Sequence, residues 1–231
     1  MLTPELHIST DFIANDHIGS ETLRAYCAEL KKTKVVIFAL CVQGRLKAMI
    51  NLVHYNIGAG TMIAIPSESF IQILKTSDDI QMHVILFSLP FVHETNLDKS
   101  IIDTFYIINE HPLLPLPEKI FNIYTDTFSL LTRICKDVPF LLSRATLKSI
   151  LEALLQGFTE LSQRKALLQV APVNRHSAIY RKFIRLVQEY HTQQHQVQFY
   201  ATKMGIKSTT LCHIVKKNQM GKLRWKLLTV F

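Results

Sequence analysis

Strand-sized apolar runs dominate the first ninety residues of the chain. They lie at 35–42, 46–53, 57–66, 70–74 and 82–89. Short runs at this spacing, rich in β-branched and aromatic residues and separated by turn residues, are typical of an all-β barrel or sandwich. The first two runs flank the turn Gln43-Gly44-Arg45, so we predict that they pair as a hairpin.

Helical spacing appears before and after this β-rich part. Residues 21–32 predict a short amphipathic helix. Beyond Pro90 the period becomes helical again, and we predict a helix over 119–136 and a longer one over about 140–169 that opens after Pro139. The fold class predicted is therefore α+β, with the strands first and the helices after them.

The longer helix carries an apolar residue at both core positions of a heptad repeat. The repeat comprises Leu147, Leu151, Leu154, Phe158 and Leu161. Such spacing favours pairing between helices, and hence a homodimer through these residues. It equally fits a helix that covers the core of its own domain.

Residues 197–217 have the pattern of a helix-turn-helix. Ala201 is small where two helices must approach, and Gly205 stands where the chain has to turn through positive φ. Ile206 can fill the space between the helices, and Ser208 is a suitable N-cap for the second one. That helix carries Leu211, Ile214 and Val215 on one face.

The charge of the chain is concentrated in the same part. Residues 171–231 contain eleven Lys or Arg and one acidic residue, whereas residues 1–170 contain 15 basic and 17 acidic residues. Lysine and arginine neutralise phosphates and release counterions, which supplies most non-specific affinity for DNA. A basic, solvated tail without a partner is the alternative.

In order, these parts resemble the AraC/XylS family of bacterial transcriptional regulators. The resemblance depends on 183–187 as an introductory helix, on 197–206 and 211–217 as the helix-turn-helix, and on Gly221-Lys222. It implies a cupin-like β-barrel with dimerisation helices over 1–170, and a DNA-binding domain over 171–231. It also implies DNA as a partner, a homodimer and a small-molecule effector.

The resemblance assigns the DNA contacts to the second helix and its surroundings. Base contacts fall on Thr209, Cys212 and His213, with Ser208 and Thr210 beside them, and phosphate contacts on Lys203, Lys207, Lys216 and Lys217. Tyr200 and Leu211 are interpreted as packing residues.

Two features depart from the family pattern. The spacing from Leu211 to Gly221 is one residue longer than usual, and the second helix-turn-helix that the family carries has no counterpart before Phe231. A partial DNA-binding domain is therefore expected. The alternative function is a cupin-like ligand-binding or dimerisation protein whose tail no longer binds DNA specifically.

No catalytic or metal-binding pattern stands out. His54, His83, His93 and His111 fall in or near the β-rich part, but none forms a His-x-His pair, so we predict no metal and no cofactor. Residues 56–60 lack the lysine of a phosphate-binding loop. We therefore predict that the protein is not an enzyme.

The remaining signals point to a cytoplasmic protein. The four cysteines are widely spaced and lack metal-site spacing, as expected of reduced thiols. The chain begins without the features of a signal peptide, and no apolar run has the length needed to cross a bilayer. No membrane association is expected.

Overall fold

The structure, a computed structural model, forms two compact units, Met1–Leu168 and Gln169–Phe231. It describes residues 5–6, 8–51, 53–95, 104–105, 107–109, 111–168, 179, 182–183, 186, 190, 194 and 196–218. Strands and long helices make up the first unit, and helices make up the described part of the second.

The strands of the first unit are β1 (Glu5–Leu6), β2 (Phe12–Ile18), β3 (Lys31–Thr33), β4 (Val35–Gln43), β5 (Arg45–Ile50), β6 (Val53–Gly58), β7 (Thr61–Ile65), β8 (Phe70–Thr76), β9 (Gln81–Ser88) and β10 (Leu113–Pro115). The same unit contains the helices α1 (Ser20–Cys27), α2 (Leu89–Glu94), α3 (Glu118–Asp137) and α4 (Arg144–Leu168), with a 3-10 turn at Pro139–Leu141. The second unit contains α5 (Val197–Met204) and α6 (Ser208–Asn218).

The strands form two five-stranded sheets. In the first sheet the order is β1-β3-β8-β5-β6, and in the second it is β10-β7-β4-β9-β2. Neighbouring strands are antiparallel except β1 and β3, which are parallel. The predicted α+β class, with the β-structure first and the long helices after it, is confirmed. The described strands nevertheless remain two separate sheets and do not close into the predicted barrel.

Strand β4 is buried on both of its faces, which explains why its sequence is continuously apolar. Val35, Ile37, Ala39 and Cys41 belong to an apolar cluster shared with the first sheet. The alternate residues Val36, Phe38 and Leu40 belong to a second cluster shared with the helices. Successive side chains of a strand point to opposite faces, so a strand covered on both sides needs apolar residues throughout.

The heptad stripe of α4 lies in that second cluster. Leu147, Leu151, Leu154 and Phe158 are buried within their own unit, and Leu161 packs at the edge of the same cluster. This burial agrees with the interpretation that the stripe covers its own domain. Dimerisation through these residues stays a prediction, and it would compete with their packing in the core.

The hairpin predicted over 35–53 is wrong. β4 pairs with β7 and β9, whereas β5 pairs with β6 and β8 in the other sheet. Gly44, at φ 78°, turns the chain from one sheet to the other. The pairing follows burial: β4 has two covered faces, while β5 alternates between buried residues and the exposed Arg45 and Lys47.

The helix predicted over 21–32 is shorter than expected. α1 ends at Cys27, and Lys31–Thr33 forms β3, which pairs with β8. The predictions for α3 and α4 agree with the structure to within a few residues, except that the second begins at Arg144 after the 3-10 turn rather than at 140.

Candidate nucleic-acid interface and ligand cavity

A left-handed glycine ends α5 and sets the direction of α6. Gly205 has φ 67° and ψ 32°. Its N–H donates to the carbonyl of Thr202, and the N–H of Ile206 donates to the carbonyl of Ala201, both at 3.1 Å. This is the Schellman arrangement, in which a residue at positive φ satisfies the last carbonyls of a helix. The turn predicted at Gly205 is therefore present.

A small apolar core holds the two helices together. It consists of Phe183, Tyr200, Ala201 and Leu211, all of them buried. The rings of Phe183 and Tyr200 meet edge to face with centroids 5.6 Å apart. The Tyr200 hydroxyl donates to the carbonyl of Gln194 at 2.6 Å. The packing roles predicted for Tyr200 and Leu211 are confirmed.

Ser208 does not act as the N-cap that its sequence position suggests. α6 begins at Ser208 itself, and the first bond of the helix runs from the Leu211 N–H to the Lys207 carbonyl at 3.0 Å. The Ser208 hydroxyl instead donates to the side-chain carbonyl of Gln198 on α5 at 2.8 Å. This cross-helix hydrogen bond, which sequence spacing does not reveal, fixes the start of α6 against its neighbour.

The N-terminal half of α6 separates buried from exposed residues. Leu211 and Ile214 are buried, whereas Thr209, Thr210 and His213 are exposed. Cys212 is half-buried. Positions 209 and 213 are one turn apart, so their side chains lie side by side on the exposed face.

The lysines predicted to bind phosphate differ in their surroundings. The Lys203 ammonium lies 3.8 Å from the ring centroid of Tyr190 and 5.5 Å from that of Phe199, so it is engaged in cation–π contacts. Lys207 is exposed at the entrance to α6. Lys216 and Lys217 lie on α6, but their side chains, like Gly221 and the residues after it, are outside the described part of the chain.

Between its two sheets the first unit contains a partly open cavity of about 540 Å³. Aliphatic side chains from both sheets form most of its wall. They include Ile37 and Ala39 of β4, Ala48 and Ile50 of β5, Ile63 of β7, Ile71 of β8 and Met82 of β9. The volume lies within the range of about 300–1,000 Å³ that small-molecule sites occupy. No sequence pattern marks this site, because the inner face of a sheet has the same apolar residues whether it lines a cavity or packs in the core.

The polar groups of the cavity all come from the N-terminal segment. They are Ser9, Asn15 and Thr22, and every other described lining residue is apolar. The backbone N–H of His17 donates to Oδ1 of Asn15 at 2.9 Å, which assigns the other end of that amide as the NH₂ donor. Ile13, on the same wall, keeps 36% of its surface exposed.

An ion-pair junction joins the start of α4 to Asp11, just before β2, and to Glu94 at the end of α2. The Arg144 guanidinium donates through Nε to Asp11 at 2.8 Å and through an η nitrogen to Glu94 at 2.6 Å. These two hydrogen bonds and the charges of both carboxylates raise the pKa of Arg144. The junction is exposed, so it orients the helix and contributes little to stability.

The histidines do not come together as a metal site. Among the described residues there is no group of three or more His, Cys, Asp or Glu side chains that could hold a metal ion. His83 is buried, and burial lowers its pKa against the raising effect of the Asp16 charge. Burial would raise the pKa of Asp16, but its hydrogen bond to His17 lowers it overall. Within the described helices, none is long and apolar enough to cross a membrane.

Comparison with protein families and with curated proteins gives no match. Among solved structures, the chain is similar to ToxT from Vibrio cholerae O395 bound to a methylnaphthalenyl butenoic acid, at 13% identity, 93% coverage of this chain, 79% of that chain and a TM-score of 0.37. It is similar to the AraC-like transcriptional activator CuxR at 10% identity, covering 95% of this chain and 73% of that one, with a TM-score of 0.38. A Schizosaccharomyces pombe Cnp3 cupin domain matches 41% of this chain and 70% of its own at 10% identity, with a TM-score of 0.29. TM-scores this low carry no argument about function. The functional proposal therefore rests on the residues of the chain itself.

Proposed function

We propose that the protein is a DNA-binding transcriptional regulator of AraC type, with α6 as the helix that enters the DNA groove. The observation that carries this proposal is the helix-turn-helix itself. Gly205 sets the turn, Leu211 is buried against the core, and the start of α6 presents Thr209 and His213 to solvent. In helix-turn-helix proteins the N-terminal residues of the second helix contact base edges.

The side chains of this exposed face suit base contacts. A threonine hydroxyl donates or accepts a hydrogen bond, its methyl group can contact the methyl of thymine, and histidine can donate to a base acceptor. Lys207, Lys216 and Lys217 are proposed to neutralise phosphates. For Lys203 we propose a weaker role, because its ammonium is already placed on the ring of Tyr190.

We further propose that the two units have different functions. Residues 1–170 would sense a small molecule, for which the inter-sheet cavity is the site, and would form a homodimer. Residues 171–231 would bind DNA. A dimer would place two copies of α6 on neighbouring half-sites. One small module offers few base contacts, so pairing would raise the specificity of DNA binding.

A ligand-binding protein that does not bind DNA specifically is the second candidate. The cavity favours it, since that site does not depend on the helix-turn-helix. The two candidates differ in one measurable property: only the regulator prefers a particular DNA sequence over scrambled DNA of the same length and composition.

Mobility shifts across a series of salt concentrations test the proposal. We expect the full chain to bind DNA tightly at low salt, and the double variant K216A/K217A to flatten the slope of log K against log salt by about one unit per lysine. K203A should change the slope less than K207A does. K119A, an exposed lysine on α3 in the other unit, is the matched control.

Base reading and phosphate binding can be separated in the same assay. T209A and H213A should reduce the preference for the most tightly bound DNA fragment over scrambled DNA of the same composition. Both variants should leave the salt slope unchanged. Failure of the folded, full-length protein to bind any DNA at low salt would exclude the regulator and leave the ligand-binding candidate.

A further inference from the structure

We infer that the inter-sheet cavity binds an uncharged aliphatic molecule that carries one hydrogen-bond acceptor, such as a medium-chain alcohol, ketone or ester. This inference rests on the sensing role proposed for the first unit and specifies the chemistry of its ligand. It follows from three properties of the cavity: the shape of its aliphatic wall, the absence of charge among its described lining residues, and the position of one amide.

The wall selects for aliphatic rather than aromatic or polar ligands. Isoleucine, leucine, valine, alanine and methionine supply all of the described lining residues except Ser9, Asn15 and Thr22. A methylene group takes about 30 Å³, similar to the share of one water molecule in the liquid. A cavity of about 540 Å³ therefore accommodates a chain of roughly ten carbons with space to spare.

The electrostatics of the wall select against an ionised ligand. None of the described lining residues is a lysine, arginine or histidine. A carboxylate moved from water into such surroundings loses its hydration without gaining a cation. An alcohol, ketone or ester loses far less, because a single donor can satisfy its oxygen.

Asn15 supplies that donor. It lies on the cavity side of β2, opposite Val84 of β9, which also lines the cavity. Its Oδ1 accepts the backbone N–H of His17, which orients the amide and leaves the N–H groups of its NH₂ as donors for a ligand oxygen. Ser9 and Thr22, also from the N-terminal segment, contribute the two hydroxyl groups of the described lining.

Ile13 gives an independent indication that the wall is incomplete without a ligand. It occupies the cavity-side position two residues before Asn15 and pairs with Leu86, another lining residue. Its side chain points inward, yet 36% of the residue is exposed. A bound aliphatic chain that runs from Asn15 along Ile13 would cover this apolar surface.

Calorimetric titration of the full-length protein with 1-decanol, decanoate and decane at pH 8 tests the inference. We expect 1-decanol to bind and decanoate to bind on the order of 100-fold more weakly, since the two differ in charge but hardly in apolar area. N15L should weaken the binding of 1-decanol about tenfold and leave the binding of decane unchanged, because only the alcohol forms a hydrogen bond with the amide. T22K should improve the binding of decanoate relative to that of 1-decanol, because it adds a cation to the polar part of the cavity lining.

Two further variants establish where the ligand binds. A48F fills the cavity from β5 and should abolish binding of all three probes, whereas M49F, on the opposite face of the same strand, should not. Thermal unfolding verifies that each variant is folded. The N15L and T22K changes, at half-buried positions, keep the test valid even if A48F does not fold.

Equal or tighter binding of decanoate, or no binding of any aliphatic probe, would overturn the inference. Mobility shifts on the same preparation report the proposed DNA-binding function separately. Intact DNA binding without aliphatic binding would refute the ligand class alone, whereas loss of both would refute the proposed regulator as well.

Discussion

The hydroxyl oxygen of Tyr124 on α3 lies 2.6 Å from the point that a Cβ atom on Gly157 of α4 would occupy. Glycine at this helix position therefore leaves room for the tyrosine between the two helices. Burial and the nearby charge of Glu160 raise the pKa of the Tyr124 hydroxyl. The presence of glycine at 157, in a helix otherwise rich in good helix formers, is therefore explained by the position of the Tyr124 hydroxyl.

The substitution G157A should destabilise the first unit. Alanine favours the helix by about 1 kcal/mol, but its methyl group would overlap the Tyr124 hydroxyl and force the ring to move. Overpacking of this kind costs about 1–3 kcal/mol, so after the helix gain we expect a net loss of up to about 2 kcal/mol in the free energy of unfolding. Urea denaturation followed by circular dichroism measures it.

Removing the hydroxyl should reverse the sign of that effect. In the Y124F background the nearest ring carbon lies 3.9 Å from the added methyl, an ordinary van der Waals distance. G157A should then stabilise the unit by the helix propensity alone, about 0.5–1 kcal/mol. A double-mutant cycle without coupling between the two sites would contradict the packing described above.

Gly205 should matter for its backbone conformation and not for space. Among the described residues, no atom beyond its chain neighbours lies within 4 Å of a Cβ built on it, yet its φ of +67° is unfavourable for other residues. G205A should cost about 1–2 kcal/mol in the stability of the second unit and weaken DNA binding, while G205N should cost less. Chemical denaturation and mobility shifts measure the two effects.

Gly60 provides a matched control for Gly205. It has φ +78° and equally open space, but it lies in the turn between β6 and β7. G60A should destabilise the first unit by a similar amount and leave DNA affinity unchanged in folded protein. A comparable loss of DNA binding in G60A would mean that the effect of G205A is not local.

His83 should make the first unit sensitive to mild acid. Burial lowers its pKa from 6.5, and its Nδ1 has no hydrogen-bond partner within the described part of the chain. The unfolded chain therefore takes up a proton near pH 6.5, whereas the folded chain resists it until the pH is lower. The free energy of unfolding should fall as the pH drops below about 6.5.

The variant H83Q should flatten this dependence between pH 7 and pH 5. The neighbouring charged groups, Asp16 and His17, stay in place in the variant, so the difference in slope reports on the imidazole of His83. H54Q, at an exposed histidine on β6, is the control and should retain the wild-type slope. A slope that persists in H83Q would assign the acid sensitivity to other residues.

Cys41 should be unreactive in the folded protein. Its thiol is buried between the sheets, and burial, with the nearby charge of Asp79, raises its pKa to about 11. Thiolate is the reactive form, so at pH 8 a water-soluble disulfide reagent should modify as many thiols in C41A as in the wild type. In denaturant, the wild type should show one more reactive thiol than C41A.

Local sequence patterns predicted much of this structure. Residues 197–218 specify their own turn, because a left-handed glycine, a small alanine and a periodic apolar face act over a few residues. The long helices α3 and α4 were likewise predicted from their apolar period. The hydrogen bond from Ser208 to Gln198 was not, since it depends on how two helices cross.

The sequence by itself determined the central strands and the long helices, where the basic charge lies and which residues the second helix of the turn exposes, because propensity and periodicity are local. It did not predict β2, and it placed β3 in a helix. Only the tertiary structure decided that β4 and β5 belong to different sheets and that the heptad stripe of α4 is buried in its own unit. Only the tertiary structure revealed the cavity, because strand pairing and enclosure join residues far apart in the chain. An apolar side chain lining an empty space has the same sequence signature as one packed in the core.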